Sequence, residues 1–368
     1  MTEPEQDLFG RYVEEWRNHW RGMPAFTQET LKPWRSLTVH FETAEQAEHF
    51  ERHVSALYHD KWCWYPPKGY GKWRDQQWVG GPQQTRYPVY VISKGRAESR
   101  LTARTLERAG IPYSIVVEPQ ETAVYEAETG SDGPGGRVLT LPFRDLGEGS
   151  IPARNWVWDH AEASGYRRHW IMDDNIDGLY RLHENTKRLV RSAATLCAAE
   201  DFVDRYTNVA LAGFHYESLV TRREACPPYR LNRRCYSCIL VNHDLPHRWR
   251  GRYNEDTDLS LRALKDGWCT VLFNAFLANK CATMRMAGGN TDELYSPEDG
   301  RLLMAESLRE QHPDVTTVTW KWGRWQHHVD YSGFRPNQLQ PLDGVQIGGP
   351  VSVNEYGMRL EQRDTVSA

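Results

Sequence analysis

From Tyr87 onward, short apolar runs alternate with segments whose apolar residues recur every three to four positions. PVYVIS (88–93) predicts a strand that ends in Ser93-Lys94-Gly95-Arg96. ESRLTARTLERAG (98–110) predicts a helix stopped by Gly110, and IPYSIVVEP (111–119) the next strand. After the loop TGSDGPGG (129–136), VLTLP is extended, and PARNWVWDHAEASG (152–165) is a helix opened by Pro152. YRRHWIM (166–172) is a strand running into Asp173-Asp174-Asn175-Ile176-Asp177. Farther on come helix SAATLCAAEDFVDRY, strands VALAGFHY and CYSCILVN, helix EDTDLSLRALKDG and strand CTVLFN. Strands separated by helices of this length imply a mostly parallel α/β sheet, with ligands beyond the carboxyl ends of the strands. Those ends carry Lys94 and Arg96, Glu118 and the Asp173 cluster.

The flanks read differently. Residues 1–34 are polar and Trp-rich, with helical spacing in LFGRYVEEWRNHW. SLTVHF (36–41) alternates like a strand, TAEQAEHFERHVSALY is helical behind a Thr43 cap, and KWCWYP is a second strand, a compact βαβ-like unit. The Gly/Pro/Gln-rich stretch from Pro66 to Pro88 reads as a linker. The expected organisation is an accessory module and linker over 1–84, an α/β domain over 85–340 and an irregular tail over 341–368.

Composition narrows the function. No stretch approaches the ~20 apolar residues of a membrane helix, and mean hydropathy is −0.71. The acidic start MTEPEQDLFGRYVEEW has no apolar core of a signal peptide. Seven scattered cysteines point to reduced thiols and a cytoplasmic protein. A net charge of −4 excludes a polycation that coats nucleic acid, though not a local basic patch. The 15 Trp and 18 Tyr suit flat ligands, sugars or bases, or simply fill cores.

Three clusters carry candidate chemistry. WIMDDNID delivers three carboxylates and an Asn within five residues, self-repelling unless a cation or hydrogen bonds offset the charge. Asp173 to Glu184 also fits an EF-hand loop, but the residues before it read as a strand rather than the required helix. Glu255-Asp256-x-Asp258 opens a helix; capping explains part of its acidity, and a helix N-terminus keeps a carboxylate ionised for work as a general base. His327-His328 can supply a neutral imidazole to a borderline divalent metal, or be ordinary surface or core histidines. Cys235-x2-Cys238 with His243 and His247 has zinc-like spacing on a strand, where residues three apart face opposite ways, so buried thiols are the expectation. Arg233, Arg234, Trp249, Arg250 and Arg252 interleave cations with aromatics, the composition for phosphate contact and base stacking.

At these residues a resemblance emerges. A strand-ended Asp-Asp-Asn, a Glu-Asp opening a helix and a late His resemble nucleotide-sugar glycosyltransferases of the GT-A fold. More narrowly, VYVISKGRAESRLTARTLERAGIPYSIVVEP, RNWVWDHAEASGYRRHWIMDDNIDGLY, RWRGRYNEDTDLSLRALKDGW and NKCATMRMAGGNT are similar to the TET/JBP-associated glycosyltransferases, found largely in bacteriophages and related to the catalytic part of the GREB-type proteins. The resemblance implies a GT-A-like sheet over about residues 86–335. It also implies transfer of a sugar from a UDP-sugar to the hydroxymethyl group of a 5-hydroxymethylpyrimidine in DNA, usually 5-hydroxymethylcytosine. It implies Mn²⁺ or Mg²⁺ held by Asp174, Asn175 and His327 or His328, with Asn175 departing from the usual third acidic residue. Donor contacts fall to Ser93, Lys94, Arg96, Glu118, Arg154, Asp173 and Asp174, and the base to Asp256 or Glu255. Helical spacing favours Asp256, with Leu259 and Leu261 inward and Asp258 outward or capping. A nucleotidyltransferase and a non-enzymatic cation- or DNA-binding module are the competing readings.

Overall fold

The computed structural model describes residues 16–54, 76–129, 137–281, 300–349 and 352–363. Among the described residues, eleven strands precede residue 300: β1 (Gln76–Val79), β2 (Val89–Ile92), β3 (Ser114–Val117), β4 (Arg137–Thr140), β5 (Arg168–Asp173), β6 (Ile176–His183), β7 (Thr186–Arg191), β8 (Val209–Tyr216), β9 (Tyr229–Leu231), β10 (Cys238–Asn242) and β11 (Cys269–Lys280). β12 (Thr316–Lys321) and β13 (Arg324–Val329) form a separate ribbon, and β14 (Arg359–Gln362) returns to the main sheet. The sheet order is β14-β1-β7-β6-β11-β8-β10-β5-β2-β3-β4, with β9 beside β11. β4, β3, β2 and β5 are parallel neighbours, as are β8 and β11. β10 lies antiparallel between β5 and β8, and β6, β9 and β14 also run against their neighbours. The result is the expected mostly parallel α/β sheet, compatible with a GT-A-like fold.

Burial explains the sheet. Ten successive residues of β11 are buried, the signature of a strand covered on both faces. The described helices longer than one turn are α1 (Ala44–Val54), α2 (Leu101–Arg108), α3 (Thr122–Thr129), α4 (Ile151–Ala163), α5 (Ala194–Val203), α6 (Glu255–Lys265) and α7 (Gly300–Gln311). Leu106 of α2 and Phe202 of α5 enter one apolar cluster with Val91 and Phe273. Val157 and Trp158 of α4 and Leu259 of α6 enter another with Ile171 and Ile239.

The flanks depart from expectation. SLTVHF forms no strand: Leu37, Val39 and Phe41 are exposed, and no partner strand lies beside them among the described residues. The helix over 44–54 is present, while KWCWYP lies outside the described residues. The stretch read as a linker contains β1, whose Trp78 is buried between β7 and β14. Trp20, 4% exposed, packs on Phe202, Tyr229, Phe273 and Phe276 inside the main core. A division near residue 84 therefore cuts through one shared core. The tail, read as irregular, supplies β14. The ribbon β6–β7 also went unforeseen; it follows the acidic cluster directly, which rules out an EF-hand because strands lie on both sides of the loop.

Candidate active site

The carboxyl ends of the parallel strands converge on one edge. Asp173 is the last residue of β5, Tyr216 of β8 and Lys280 of β11, and Ser93 follows β2. Because β10 is reversed, its beginning lies at that edge too, and Ser237 sits just before it. Arg154 reaches in from the first turns of α4, and Glu255 and Asp256 from the start of α6. Together they line a cleft of about 750 Å³, the size of a small-molecule site.

Two ion-pair systems organise the floor. Asp173 accepts from Arg154 Nη2 at 2.9 Å, from Lys280 Nζ at 2.8 Å and from Ser237 Oγ at 2.7 Å. Lys280 also reaches Ser237 Oγ at 2.9 Å, and Tyr216 OH lies 2.6 Å from the same hydroxyl. Burial alone would raise the Asp173 carboxyl, but Lys280 and Arg154 hold it well below the usual range. Asp174 is bound by Arg96 Nη1 at 2.5 Å and Ser93 Oγ at 2.8 Å, and Tyr125 OH braces Ser93 at 2.6 Å. Its desolvation outweighs these partners and raises its carboxyl.

Asp256 has a different environment. Its Oδ1 is buried without a hydrogen-bond partner among the described residues and lies 3.6 Å from Arg154 Nη1. The backbone N–H of Ser237 donates to its Oδ2 at a long 3.4 Å. Burial pushes the carboxyl up to about 7; Arg154 pulls down, while Glu255 and Asp173 add to the rise. Position at a helix N-terminus favours ionisation, so desolvation overrides it here. Glu255 instead accepts from Ser150 Oγ at 3.0 Å.

The other sequence-derived residues divide. Lys94 and Glu118 face each other at 3.4 Å on the cleft wall. Arg234 and Arg252 also line the cleft. Arg233 does not line it itself but lies over the ring of Tyr331, which does, 5.1 Å from the centroid. Trp249 is no exposed stacking surface: it is 2% exposed and lies beneath Arg154, whose guanidinium is 4.7 Å from the ring centroid. Arg250 is taken by Asp258 at 3.0 Å. Asp258, expected to point outward, is fully buried and also binds Arg262 at 2.8 Å and His312 at 3.0 Å, while Leu259 and Leu261 are buried as expected. Cys235 and Cys238 are buried free thiols, as expected, but the strand read over CYSCILVN begins only at Cys238, and Cys235 lies in the irregular segment before it.

The expected metal ligands Asp174, Asn175, His327 and His328 all line the cleft, but each has its own surroundings. Asp174 is neutralised by Arg96, and His327 reaches Arg234 at 3.3 Å, with burial and that guanidinium lowering its imidazole to about 4. His328 is the next residue on the same strand and alternates to the other face of the ribbon, yet it too lines the cleft. Asn175 Oδ1 is buried without a hydrogen-bond partner among the described residues, a single neutral oxygen. No group of three His, Cys, Asp or Glu able to hold an ion exists among the described residues. As arranged, these side chains do not fit Mn²⁺ or Mg²⁺. Sequence reasoning missed the residue that sits among the carboxylates instead, Lys280. Its signal was a lone cation closing a long apolar strand at the same edge as Asp173.

An α/β sheet with carboxylates and cations gathered at its strand ends places a ligand site at that edge. The chain belongs to the TET-Associated Glycosyltransferase family, whose model matches residues 87–289, more than half of its length. The protein is thus a glycosyltransferase, and the nucleotidyltransferase and non-enzymatic readings fall away. No curated protein matches the chain. No helix among the described residues is long and apolar enough to cross a membrane.

Proposed function

We propose that the enzyme moves a sugar from a UDP-sugar to the hydroxymethyl oxygen of a 5-hydroxymethylpyrimidine in DNA, most simply 5-hydroxymethylcytosine. The observation that carries the reading is Asp256, a buried carboxylate with an unpartnered oxygen and affinity for a proton near neutrality, at the wall of a cleft rich in cations. Among the described residues, eight cationic side chains against five carboxylates line that cleft, in a chain whose overall charge is negative. Such a balance suits a diphosphate.

In this reading the acceptor oxygen attacks the anomeric carbon, its proton passes to Asp256, and the bond from that carbon to the diphosphate oxygen breaks. The electron pair leaves with UDP. Negative charge grows on the diphosphate as the bond opens, and fixed cations already in place cost no reorganisation at that moment. Lys280, Arg154 and Arg96 are held by their own carboxylates, so their positions are set before the donor arrives. Asp173 and Asp174 orient those cations and offer acceptors to donor hydroxyls.

The test is a panel of UDP-sugars offered with hydroxymethylated and plain DNA, read by nucleoside mass spectrometry. A new glycosylated nucleoside with one sugar and only with hydroxymethylated DNA is expected. Donor turnover with no product in either DNA would overturn the acceptor assignment.

A further inference from the structure

Beyond residue 289 the chain builds the β12–β13 ribbon, outside the part matched by the family model. Trp320 stands directly opposite Trp325, and Lys321 opposite Arg324. The two indoles meet edge to face with centroids 5.2 Å apart. Trp322 and Gly323 make the turn, both at positive φ (53° and 70°). A bulky non-glycine residue in that region is strained, and Asn or Asp is the usual choice in such a turn. Trp322 gains no burial in return, being 75% exposed, and Trp320 is 60% exposed. Lys321 Nζ lies over the Trp322 ring at 4.5 Å. Strain and exposed indole area without packing to repay them point to a ligand.

The ribbon's place says which ligand. Strand alternation puts Trp320, Trp325, Val318 and His327 on one face. The ribbon borders the cleft: Trp325 and His327 of that face line it, as do Arg324, Gln326 and His328 of the other face, and His327 contacts Arg234. The base of the ribbon is fixed to the helix that carries Asp256, because Val315, Val329 and Tyr331 pack on Leu261, Leu264 and Phe334. Aromatic rings interleaved with cations, rigidly joined to the acceptor side of the site, match an unstacked base and its flanking phosphates.

We propose that this ribbon is the acceptor-strand platform: Trp320, Trp322 and Trp325 stack on bases next to the target pyrimidine, and Lys321 and Arg324 take the adjoining phosphates. The assignment rests on the DNA-acceptor reading above and adds to it the surface that holds the strand. It also explains how a chain of negative net charge holds DNA, since stacking supplies attraction that charge does not.

The experiment is fluorescence anisotropy of a labelled hydroxymethylated oligonucleotide, single- and double-stranded, over a salt series, with the full chain and variants. Trp322→Ala and Trp320→Ala should each weaken binding about 10-fold or more, the scale of one lost stacking partner. Trp322→Phe should restore most of the affinity, because a ring still stacks. Lys321→Ala with Arg324→Ala should flatten the salt dependence, which the Trp variants leave alone. These side chains are exposed, so melting temperatures should stay at the parental value and serve as the fold check. If the parent binds no oligonucleotide, the DNA-acceptor reading fails and this assignment with it. If the parent binds and the Trp variants bind equally well, the platform is wrong while the acceptor reading stands.

Discussion

Asp256→Asn tests the central chemistry and works in two directions at once. The substitution keeps shape and hydrogen-bonding capacity but removes the proton acceptor. A positioned base contributes about 10²–10⁴-fold, so transfer should fall by that factor while donor and acceptor binding persist. Stability should move the other way. Burial raises this carboxyl from the usual 3.8 to about 7, so between those values the folded protein keeps a proton that the unfolded chain gives up. The fold is therefore weakened progressively as pH rises from about 4 to 7, to a ceiling of ~4 kcal/mol set by that displacement. That ceiling already includes the pull of Arg154, which faces the ionised form at 3.6 Å, so the Asn variant is expected to be the more stable protein at pH 8 by up to that amount. Two assays read the two effects: single-turnover transfer between pH 5.5 and 9, and urea unfolding at pH 5 and pH 8. The parental rate should climb through pH 7 and level off, and the variant's residual rate should be flat. An Asn variant no more stable than the parent at pH 8, or a parental rate indifferent to pH near 7, would refute the argument. Near-parental turnover would move the role to Glu255.

Lys280→Met keeps the length of the side chain but deletes its charge; UDP binding by calorimetry should weaken at least tenfold, whereas EDTA should leave parental UDP binding unchanged. Abolition of binding by EDTA with rescue by Mn²⁺ would mean that the ligand set assembles around the donor and that the fixed-cation account is wrong. Asp258→Ala leaves Arg250, Arg262 and His312 without their shared anion and should cost about 3 kcal/mol in denaturant titrations at pH 7. Since those partners lower Asp258 to about 2, that contribution is present above pH 4 and disappears as pH falls toward 2, where parent and variant should converge. Trp20→Ala should cost about 3–5 kcal/mol, and a chain starting at residue 84 should be insoluble; a stable, UDP-binding truncation would disprove the shared core.

What the sequence revealed follows the range of the interactions involved. The alternating strands and helices from β2 to β5, and Ser93, Arg96, Asp173, Asp174, Glu255 and Asp256 at their ends, were legible because local periodicity and turn residues place them. The β6–β7 ribbon was hidden because its Asn, Asp and Gly residues read as a loop, while partners far along the chain hold it in the sheet. β1 and β14 were hidden for a related reason: four-residue edge strands carry too little pattern, and each is defined by its pairing with the other. Trp249 and Arg250 misled because composition cannot distinguish an indole under a guanidinium from one offered to a base. Lys280 was invisible until topology brought the end of β11 beside the end of β5.

The clasp between the two ends of the described chain sets a timetable for the protein's birth. Glu355 accepts from the backbone of Ala25, 330 residues earlier, and closes an ion pair on Arg181, a β6 side chain 1% exposed. On a ribosome adding about 5–20 residues per second, Ala25 waits roughly 15–65 s for that partner. Arg181, made 174 residues before Glu355, spends roughly 9–35 s of that interval with no anion to justify its burial, and the open flank of β1 awaits β14. The catalytic half can assemble on the way out, but the molecule seals only when residues 355–362 emerge. A host that translates slowly or holds chaperones scarce would then yield less enzyme from the same message, with no residue of the cleft altered.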